Sequence, residues 1–138
     1  MDGATRPKYR IVSYRRGISV SVFFSGGIRN TAAALDVLRT RVFVESAGDR
    51  REHPNVAVVF LHARSADETA TARAASLARR QGITLLVVGV TDNVRATELE
   101  SIASYPARYN VFRIPNYYSF VNIHDGLTRA ACNRTCLD

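Results

Sequence analysis

The sequence predicts an α/β fold, in which helices cover both faces of a mostly parallel central sheet. Residues 56–61 and 83–90 are continuous apolar runs rich in β-branched side chains, which is typical of strands that are buried on both faces. Segments with strand and helix patterns also alternate along most of the chain. Because such alternation favours parallel strands joined by right-handed crossovers, we expect a Rossmann-like layered domain.

The first half of the chain opens with two β-rich stretches, residues 9–14 and 18–24, separated by a short polar turn. This arrangement predicts a hairpin. From Thr31 onward, apolar residues recur at intervals of three and four, as they do on one face of a helix, until about Phe43 or Val44. We therefore expect a helix between the hairpin and the strand at 56–61.

The second half continues with an alanine-rich helix over residues 65–80, acidic at its start and basic at its end, which complements the helix dipole. Gly82 is placed to cap it. After the strand at 83–90 we predict a short helix over 93–104, a strand over 111–114 and a closing helix over 118–132. No linker or repeat divides the chain, so we expect residues 1–138 to form one domain.

The formal net charge of +7 comes almost entirely from arginine, since Lys8 is the only lysine. These arginines are either scattered, solvated surface charges or a basic surface that recruits a polyanion. Nucleic acid is not an expected partner, because the chain lacks the basic runs of about 5–8 residues typical of nucleic-acid patches. An apolar run of about 18 residues is also absent, so we expect no membrane span, and no signal peptide is visible.

Residues 26–35 read Gly-Gly-Ile-Arg-Asn-Thr-Ala-Ala-Ala-Leu. They resemble the segment of von Willebrand factor type A domains in which two glycines and a Thr-Asn-Thr-like triplet precede a helix with Ala-Leu. Further matches follow in the family's order: Gly82-Ile83 to Gly89-Val90, Glu98-Leu99 to Ser104 with Pro106, and Val111-Phe112. Cys132 stands where matrilin-like and collagen-associated members place a closing cysteine. The resemblance covers about residues 23–132, between a truncated β-rich start at 1–22 and a tail at 133–138.

The resemblance implies that the family's first strand is missing, because residues 1–22 are too few to supply it together with its helix and the next hairpin. In the family this strand lies in the middle of the sheet. We therefore expect two exposed strand edges, unless a partner segment fills the gap.

Complete members of the family hold a divalent cation with an Asp-x-Ser-x-Ser loop, a threonine and a later aspartate, since magnesium takes hard oxygen ligands. This chain contains no Asp-x-Ser-x-Ser sequence. Arg29 stands at the threonine position, and Ala63 or Arg64 stands at the aspartate position. Only the family's second threonine remains, as Thr31. We expect a degenerate site that binds no metal, and we expect no other cofactor.

Arg29 and Arg64 are candidate partner-binding residues, because the ligands they replace converge on one cation in the family. They either favour an anionic partner or merely occupy a lost site. The C-terminal third is also rich in aromatic residues interleaved with arginines: Tyr105, Arg108, Tyr109, Arg113, Tyr117, Tyr118 and Phe120. We expect these rings mainly to pack the last strand and helix, with stacking on sugars or bases as the alternative.

No residue is predicted to be catalytic. Ser25-Gly26-Gly27 lacks the Gly-x-Ser-x-Gly elbow of a hydrolase, and His53, His62 and His124 lie in three different predicted segments. Near the C-terminus, Cys132 and Cys136 form a possible disulfide, and Asn133 begins an Asn-Arg-Thr glycosylation sequence. Both features favour a secreted protein.

We therefore predict a non-enzymatic, metal-independent interaction module of the extracellular matrix or of adhesion proteins. The expected partners are matrix proteins such as collagens. The alternative is an arginine-rich polyanion binder that recognises sulfated, acidic glycans or nucleic acid.

Overall fold

The structure, a computed structural model, describes residues 8–14, 18–24, 30–43 and 55–132, the first two ranges as backbone alone. The strands within these ranges are β1 (Lys8–Tyr14), β2 (Ile18–Phe24), β3 (Asn55–Leu61), β4 (Ile83–Val90) and β5 (Val111–Ile114). The α-helices are α1 (Thr31–Val37), α2 (Glu68–Arg80), α3 (Ala96–Ile102), α4 (Ala107–Asn110) and α5 (His124–Cys132). A π-helical turn (Leu38–Val42) continues α1, and a 3₁₀ helix (Tyr117–Asn122) precedes α5.

The strands form one sheet in the order β1-β2-β3-β4-β5. β1 pairs antiparallel with β2, as the predicted hairpin requires, and the remaining neighbours are parallel. In the centre Ala57 lies opposite Leu85, and every residue of the two strands is buried except Asn55 and Thr84. The prediction that β3 and β4 are adjacent, parallel, buried strands is confirmed.

The expected gap in the middle of the sheet is wrong. β2 runs parallel to β3 over six register pairs, from Ser19 opposite Asn55 to Phe24 opposite Phe60. β3 is therefore paired on both sides, by β2 and β4. The pairing with β2 satisfies the backbone groups of β3 that a missing neighbour would leave unpaired.

Helices cover both faces of the sheet, as predicted. Strand order follows chain order from β2 to β5, so right-handed crossovers place the connecting helices on one face. There, Leu35 of α1, Ala75 of α2 and Leu99 of α3 share one hydrophobic core with inward residues of β3 and β4. On the opposite face Leu127 of α5 packs against a second cluster that includes Leu86.

Helix α2 begins at Glu68, three residues after the predicted start. Its N-cap is Asp67, whose side chain accepts a hydrogen bond of 3.0 Å from the N–H of Ala70. At the other end Gly82 has φ of 94° and its N–H donates to the Arg79 carbonyl at 3.0 Å. The predicted glycine cap is confirmed. Glycine suits this position because an L side chain rarely adopts that backbone conformation.

The later helices differ from the prediction in length. α3 ends at Ile102, because the N–H of Ser104 donates to the Leu85 carbonyl at 2.9 Å and its hydroxyl accepts from the Leu85 N–H at 2.8 Å. Ser104 thus extends the edge of β4, and the short α4 follows, which we did not predict. The closing helix is divided in two because Asn116 caps a 3₁₀ helix that ends before α5.

Candidate functional site

The carboxyl ends of three parallel strands meet at one edge of the sheet, which we call the carboxyl edge. His62 follows β3, Thr91 follows β4 and the 3₁₀ helix follows β5. Ligand sites of open α/β sheets lie outside this edge, because the connecting loops leave crevices there. The candidate residues that the structure describes can be placed relative to it.

The described residues at the family's ligand positions offer few oxygens to a cation. Ala63 is half-buried and Arg64 is exposed, and neither side chain offers an oxygen. Thr31 is only 1% exposed, and its hydroxyl has no hydrogen-bond partner among the described residues. Arg29 lies outside the described residues. Since magnesium needs about six oxygen ligands, the described side chains here do not fit it.

The nearest acidic side chain after β3 belongs to Asp67. Its Oδ1 atom accepts from the N–H of Ala70, and its carbonyl accepts from the Thr71 hydroxyl at 2.9 Å. This carboxylate therefore serves the start of α2. Within residues 30–43 and 55–132, no three His, Cys, Asp or Glu side chains are grouped so that they could hold a metal ion.

The loop after β3 is held by a buried carboxylate that sequence reasoning missed. Glu98 is 2% exposed, and its Oε1 atom accepts from the N–H of Ser65 at 3.0 Å and from the Ser65 hydroxyl. Its Oε2 atom has no hydrogen-bond partner in the described part of the chain. One signal could have found it: Glu98 precedes Ile102 by four residues and so shares the buried face of α3.

Thr91 joins the three strand ends. Its N–H donates to the Ile114 carbonyl of β5 at 2.8 Å, and its hydroxyl lies 3.4 Å from the His62 carbonyl, to which it donates. The same hydroxyl accepts from the Asn93 N–H at 3.3 Å. Thr91 has φ of 72°, which is unusual for a β-branched residue and places it in the strained left-handed region. We find no sequence signal for this conformation.

An exposed aromatic surface, the tyrosine turn, lies beside this edge on the 3₁₀ helix and consists of Tyr117, Tyr118 and Val121. Tyr118 is 94% exposed and Val121 is 75% exposed. Phe60 at the end of β3 anchors the turn, with ring centroids 6.4 Å from Tyr117 and 5.9 Å from Phe120. Partial burial raises the pKa of Tyr117. The expectation that the C-terminal rings mainly pack the interior is wrong for these tyrosines, and correct for Phe120.

The remaining aromatic and arginine candidates are dispersed. Tyr105 and Tyr109 are also exposed, and the Arg108 guanidinium lies 4.7 Å from the centroid of the Tyr109 ring. Arg113 is used locally, because its Nη2 atom donates to the Val94 carbonyl at 2.8 Å. Sequence spacing could not divide these residues between core and surface.

The C-terminal candidates lie at the end of the described chain. α5 ends at Cys132, whereas Asn133 and Cys136 lie outside the described residues, so the disulfide and the glycosylation site stay predictions. His53 also lies outside them, while His62 is half-buried and His124 is exposed. Among the described helices, none is sufficiently long and apolar to cross a membrane.

Several known proteins are similar to this chain in sequence. Mouse collagen alpha-5(VI) chain is 33% identical over 93 residues, which cover 66% of this chain and 3% of that protein. Human collagen alpha-6(VI) chain is 35% identical over 89 residues, which cover 63% of this chain and 4% of that protein. The Caenorhabditis elegans transmembrane cell adhesion receptor mua-3 is 32% identical over 124 residues, which cover 87% of this chain and 3% of that protein. The chain therefore spans only a few per cent of the length of these relatives.

A solved structure shares the fold. Proximal thread matrix protein 1 from the mussel byssus superposes with a TM-score of 0.72 at 18% identity, covering 78% of this chain and 27% of that one. Another structure of that protein, with a zinc-occupied MIDAS motif, superposes with a TM-score of 0.70 at 16% identity. The sequence profile of the von Willebrand factor type A domain matches residues 15–126, which is most of the chain. The chain belongs to the von Willebrand factor type A domain family.

Proposed function

We propose that this chain is a non-enzymatic, metal-independent interaction module of the extracellular matrix, and that it binds a protein partner at its carboxyl edge. The observation that carries the proposal is the tyrosine turn, which exposes two tyrosines and a valine beside the strand ends. Arg64 is exposed at the same edge, and Arg29 is its proposed companion. Clustered exposed apolar side chains of this kind mark interaction sites on soluble domains.

The geometry of the turn suits a protein interface. Tyrosine gives a large contact area with few rotatable bonds, and residues of this type dominate binding energies at interfaces. Contacts from Phe60 to Tyr117 and Phe120 hold the turn on the sheet before any partner arrives. Binding therefore needs little further ordering, which favours affinity.

The relatives suggest the class of partner. Collagen VI chains and a cell adhesion receptor carry segments similar to this chain. We infer a secreted location and a matrix protein, such as a collagen, as the partner. Because the chain matches only a small part of each relative, this inference concerns the domain and not the assembly of the relatives.

Metal independence is the second part of the proposal, and the side chains at the ligand positions support it. Ala63 and Arg64 offer no ligand oxygen, and the Arg64 charge would repel a cation. Ser65 engages only the Oε1 atom of the buried Glu98 carboxylate, so this side chain could offer a cation one further oxygen, Oε2, where magnesium needs about six. A partner would then be held by side-chain contacts rather than through a bridging ion.

The test is surface binding of the 138-residue chain to a panel of immobilised collagens, with magnesium and with EDTA. We expect at least one collagen to bind equally in both conditions. Tyr118→Ser with Val121→Ser should weaken binding at least tenfold, since buried aromatic anchors contribute about 2 kcal/mol or more. Tyr105→Ser is the matched control, because Tyr105 is 87% exposed but lies near the amino-terminal half of β4.

Three results would count against the proposal. Equal loss of binding in the Tyr105 control and in the Tyr118 variant would place the contact elsewhere. Complete loss of binding in EDTA would restore a metal-bridged contact. Binding to no collagen, together with binding to sulfated glycan, would favour the polyanion alternative, for which a separate surface is available.

A further inference from the structure

A groove with a volume of about 350 Å³ lies on the α5 face of the sheet, beneath α5 and beside α4. Its lining includes Val56 and Thr84, which are the second residues of β3 and β4. It therefore lies toward the amino-terminal ends of these strands, away from the carboxyl edge. A volume of this size is at the lower end of the range for ligand clefts, roughly 300–1,000 Å³.

The groove follows from the lengths of the strands and the small residues of α5. β5 begins opposite Val87, so the first half of β4 has α4 rather than a strand beside it. On α5, Gly126 approaches the sheet so closely that an added Cβ would lie 3.3 Å from the Phe112 ring. Ala130, one turn later, also lines the groove. Because Gly126 and Ala130 carry little or no side chain, the space between α5 and the strands stays open.

The charged side chains of the groove are both cationic. Arg108 of α4 and Arg129 of α5 both line it and are exposed. Tyr109 also lines the groove, and this residue is 60% exposed. No carboxylate lines the groove among the described residues, and the whole chain carries a net charge of +7. Guanidinium groups only donate hydrogen bonds, so a ligand must supply acceptor oxygens.

We propose that this groove binds a sulfated glycan. The planar forks of Arg108 and Arg129 match sulfate oxygens, and the face of the Tyr109 ring that Arg108 does not cover provides a flat surface for a sugar. An acidic peptide also offers acceptor oxygens but no flat sugar ring for Tyr109, so it is the competing ligand in the test. Among the lining side chains described, Asn110 adds no free amide donor, because its N–H groups already donate to the Ser104 and Pro106 carbonyls.

The site is distinct from the tyrosine turn, so it does not depend on the proposed protein contact. The two surfaces lie toward opposite ends of the parallel strands. A chain that used both would bind a matrix protein at one end of the sheet and a matrix glycan at the other. Variants at one surface should leave binding at the other unchanged.

The experiment titrates the 138-residue chain with a heparin-derived hexasaccharide by calorimetry at several salt concentrations. Arg108→Gln with Arg129→Gln should weaken binding about tenfold per arginine, since charge-assisted hydrogen bonds are the strong ones. It should also flatten the dependence of log affinity on log salt by about two. The matched control is Arg73→Gln with Arg80→Gln, two exposed arginines of α2 on the opposite face, which removes the same charge.

Two further arms identify the ligand. Tyr109→Ala should weaken hexasaccharide binding several-fold, because it removes both the sugar contact and the ring beside Arg108, and it should change the salt dependence less than the arginine pair does. Chemically desulfated hexasaccharide should not bind measurably. Equal weakening by the groove pair and by the α2 pair would overturn the site, as diffuse charge would then explain binding. A hexaglutamate peptide that binds as tightly as the hexasaccharide would overturn the ligand class.

Discussion

Glu98 brings a carboxylate into the core between α3 and the sheet, where Ser65 donates two hydrogen bonds to it. A buried charge is costly unless hydrogen bonds compensate for its lost hydration. Here the compensation fixes the loop that follows β3, the loop in which the family places a metal ligand. The side chain thus holds this loop in place in a chain that carries Ala63 and Arg64 there.

Replacing Glu98 by alanine should lower the free energy of unfolding by about 2–4 kcal/mol, since the buried N–H of Ser65 loses its acceptor and a cavity forms. Glu100→Ala, at an exposed position of the same helix, is the control and should change stability by less than about 0.5 kcal/mol. Urea denaturation measures both. Equal stabilities of the two variants would show that the contact contributes nothing.

Thr91 combines a strained backbone with a useful hydroxyl, and substitutions can separate the two. Thr91→Asn should be about 1–2 kcal/mol more stable than Thr91→Val, because asparagine tolerates positive φ and keeps a hydrogen-bonding side chain, whereas valine keeps the strain and removes the hydroxyl. Thermal or urea unfolding measures the difference. The reverse order would mean that the left-handed conformation is not retained.

At the scale of elements, α2 and α3 share a hydrophobic core, and one side chain of α2 also donates hydrogen bonds to α3. Arg79 donates from Nη1 to the carbonyls of Ser101 and Ile102, at 2.9 and 2.8 Å, at the C-terminal end of α3. A cation at this end is favourable, because the last carbonyls lack helical partners and the dipole is negative there. Burial lowers the pKa of Arg79, yet an arginine stays charged in proteins.

Arg79→Ala should reduce the free energy of unfolding by about 1–2 kcal/mol, since two carbonyls lose a charged donor. Arg73→Ala, which removes an exposed arginine from the same helix, should have an effect within about 0.5 kcal/mol. Chemical denaturation of both variants makes the comparison independent of net charge. A larger loss for Arg73→Ala would argue against the α2–α3 link.

The tyrosine turn predicts a specific response to alkali. Burial favours the neutral phenol and raises the pKa of Tyr117 in the folded state above its ordinary value of 10.0. Between the ordinary pKa of 10.0 and the raised pKa of the folded state, the folded chain binds more protons than the unfolded chain. The free energy of unfolding therefore falls as pH rises above about 10. The wild-type chain should therefore lose more stability from pH 9 to 11 than Tyr117→Phe. Parallel pH profiles of the two proteins would contradict this.

At the scale of the whole molecule, arginines occupy or line surfaces where a cation site would need oxygen ligands. The ligand positions that the structure describes carry Ala63 and Arg64, whereas the groove on the α5 face is lined by two further arginines. Both features favour anionic partners over a cation. Net charge strengthens this preference, because the field of the whole domain attracts polyanions.

Millimolar magnesium, calcium or manganese should leave the melting temperature of the chain unchanged, because only a ligand that binds the folded state raises it. Differential scanning calorimetry with and without EDTA measures the effect. A rise of several degrees that EDTA reverses would show that a cation site exists despite Arg64 and would restore metal-dependent adhesion as the leading function.

The sequence by itself determined the elements whose patterns are local. Continuous apolar runs identified β3 and β4 as buried neighbours, and Gly82 marked the end of α2. Family motifs in the right order identified the fold, and the profile match over residues 15–126 confirms it. These features are readable because burial periodicity and helix caps depend on residues a few positions apart.

The tertiary structure alone decided the features that join distant residues. Ser65 and Glu98 are 33 positions apart, and Ser65 lies in the loop before α2 rather than in the predicted helix. The position of β2 beside β3 also needed the assembled sheet. The exposure of Tyr118 likewise depended on where the 3₁₀ helix lies. Such outcomes depend on packing between elements, because the same side chain can lie in the core or on the surface with an unchanged local sequence.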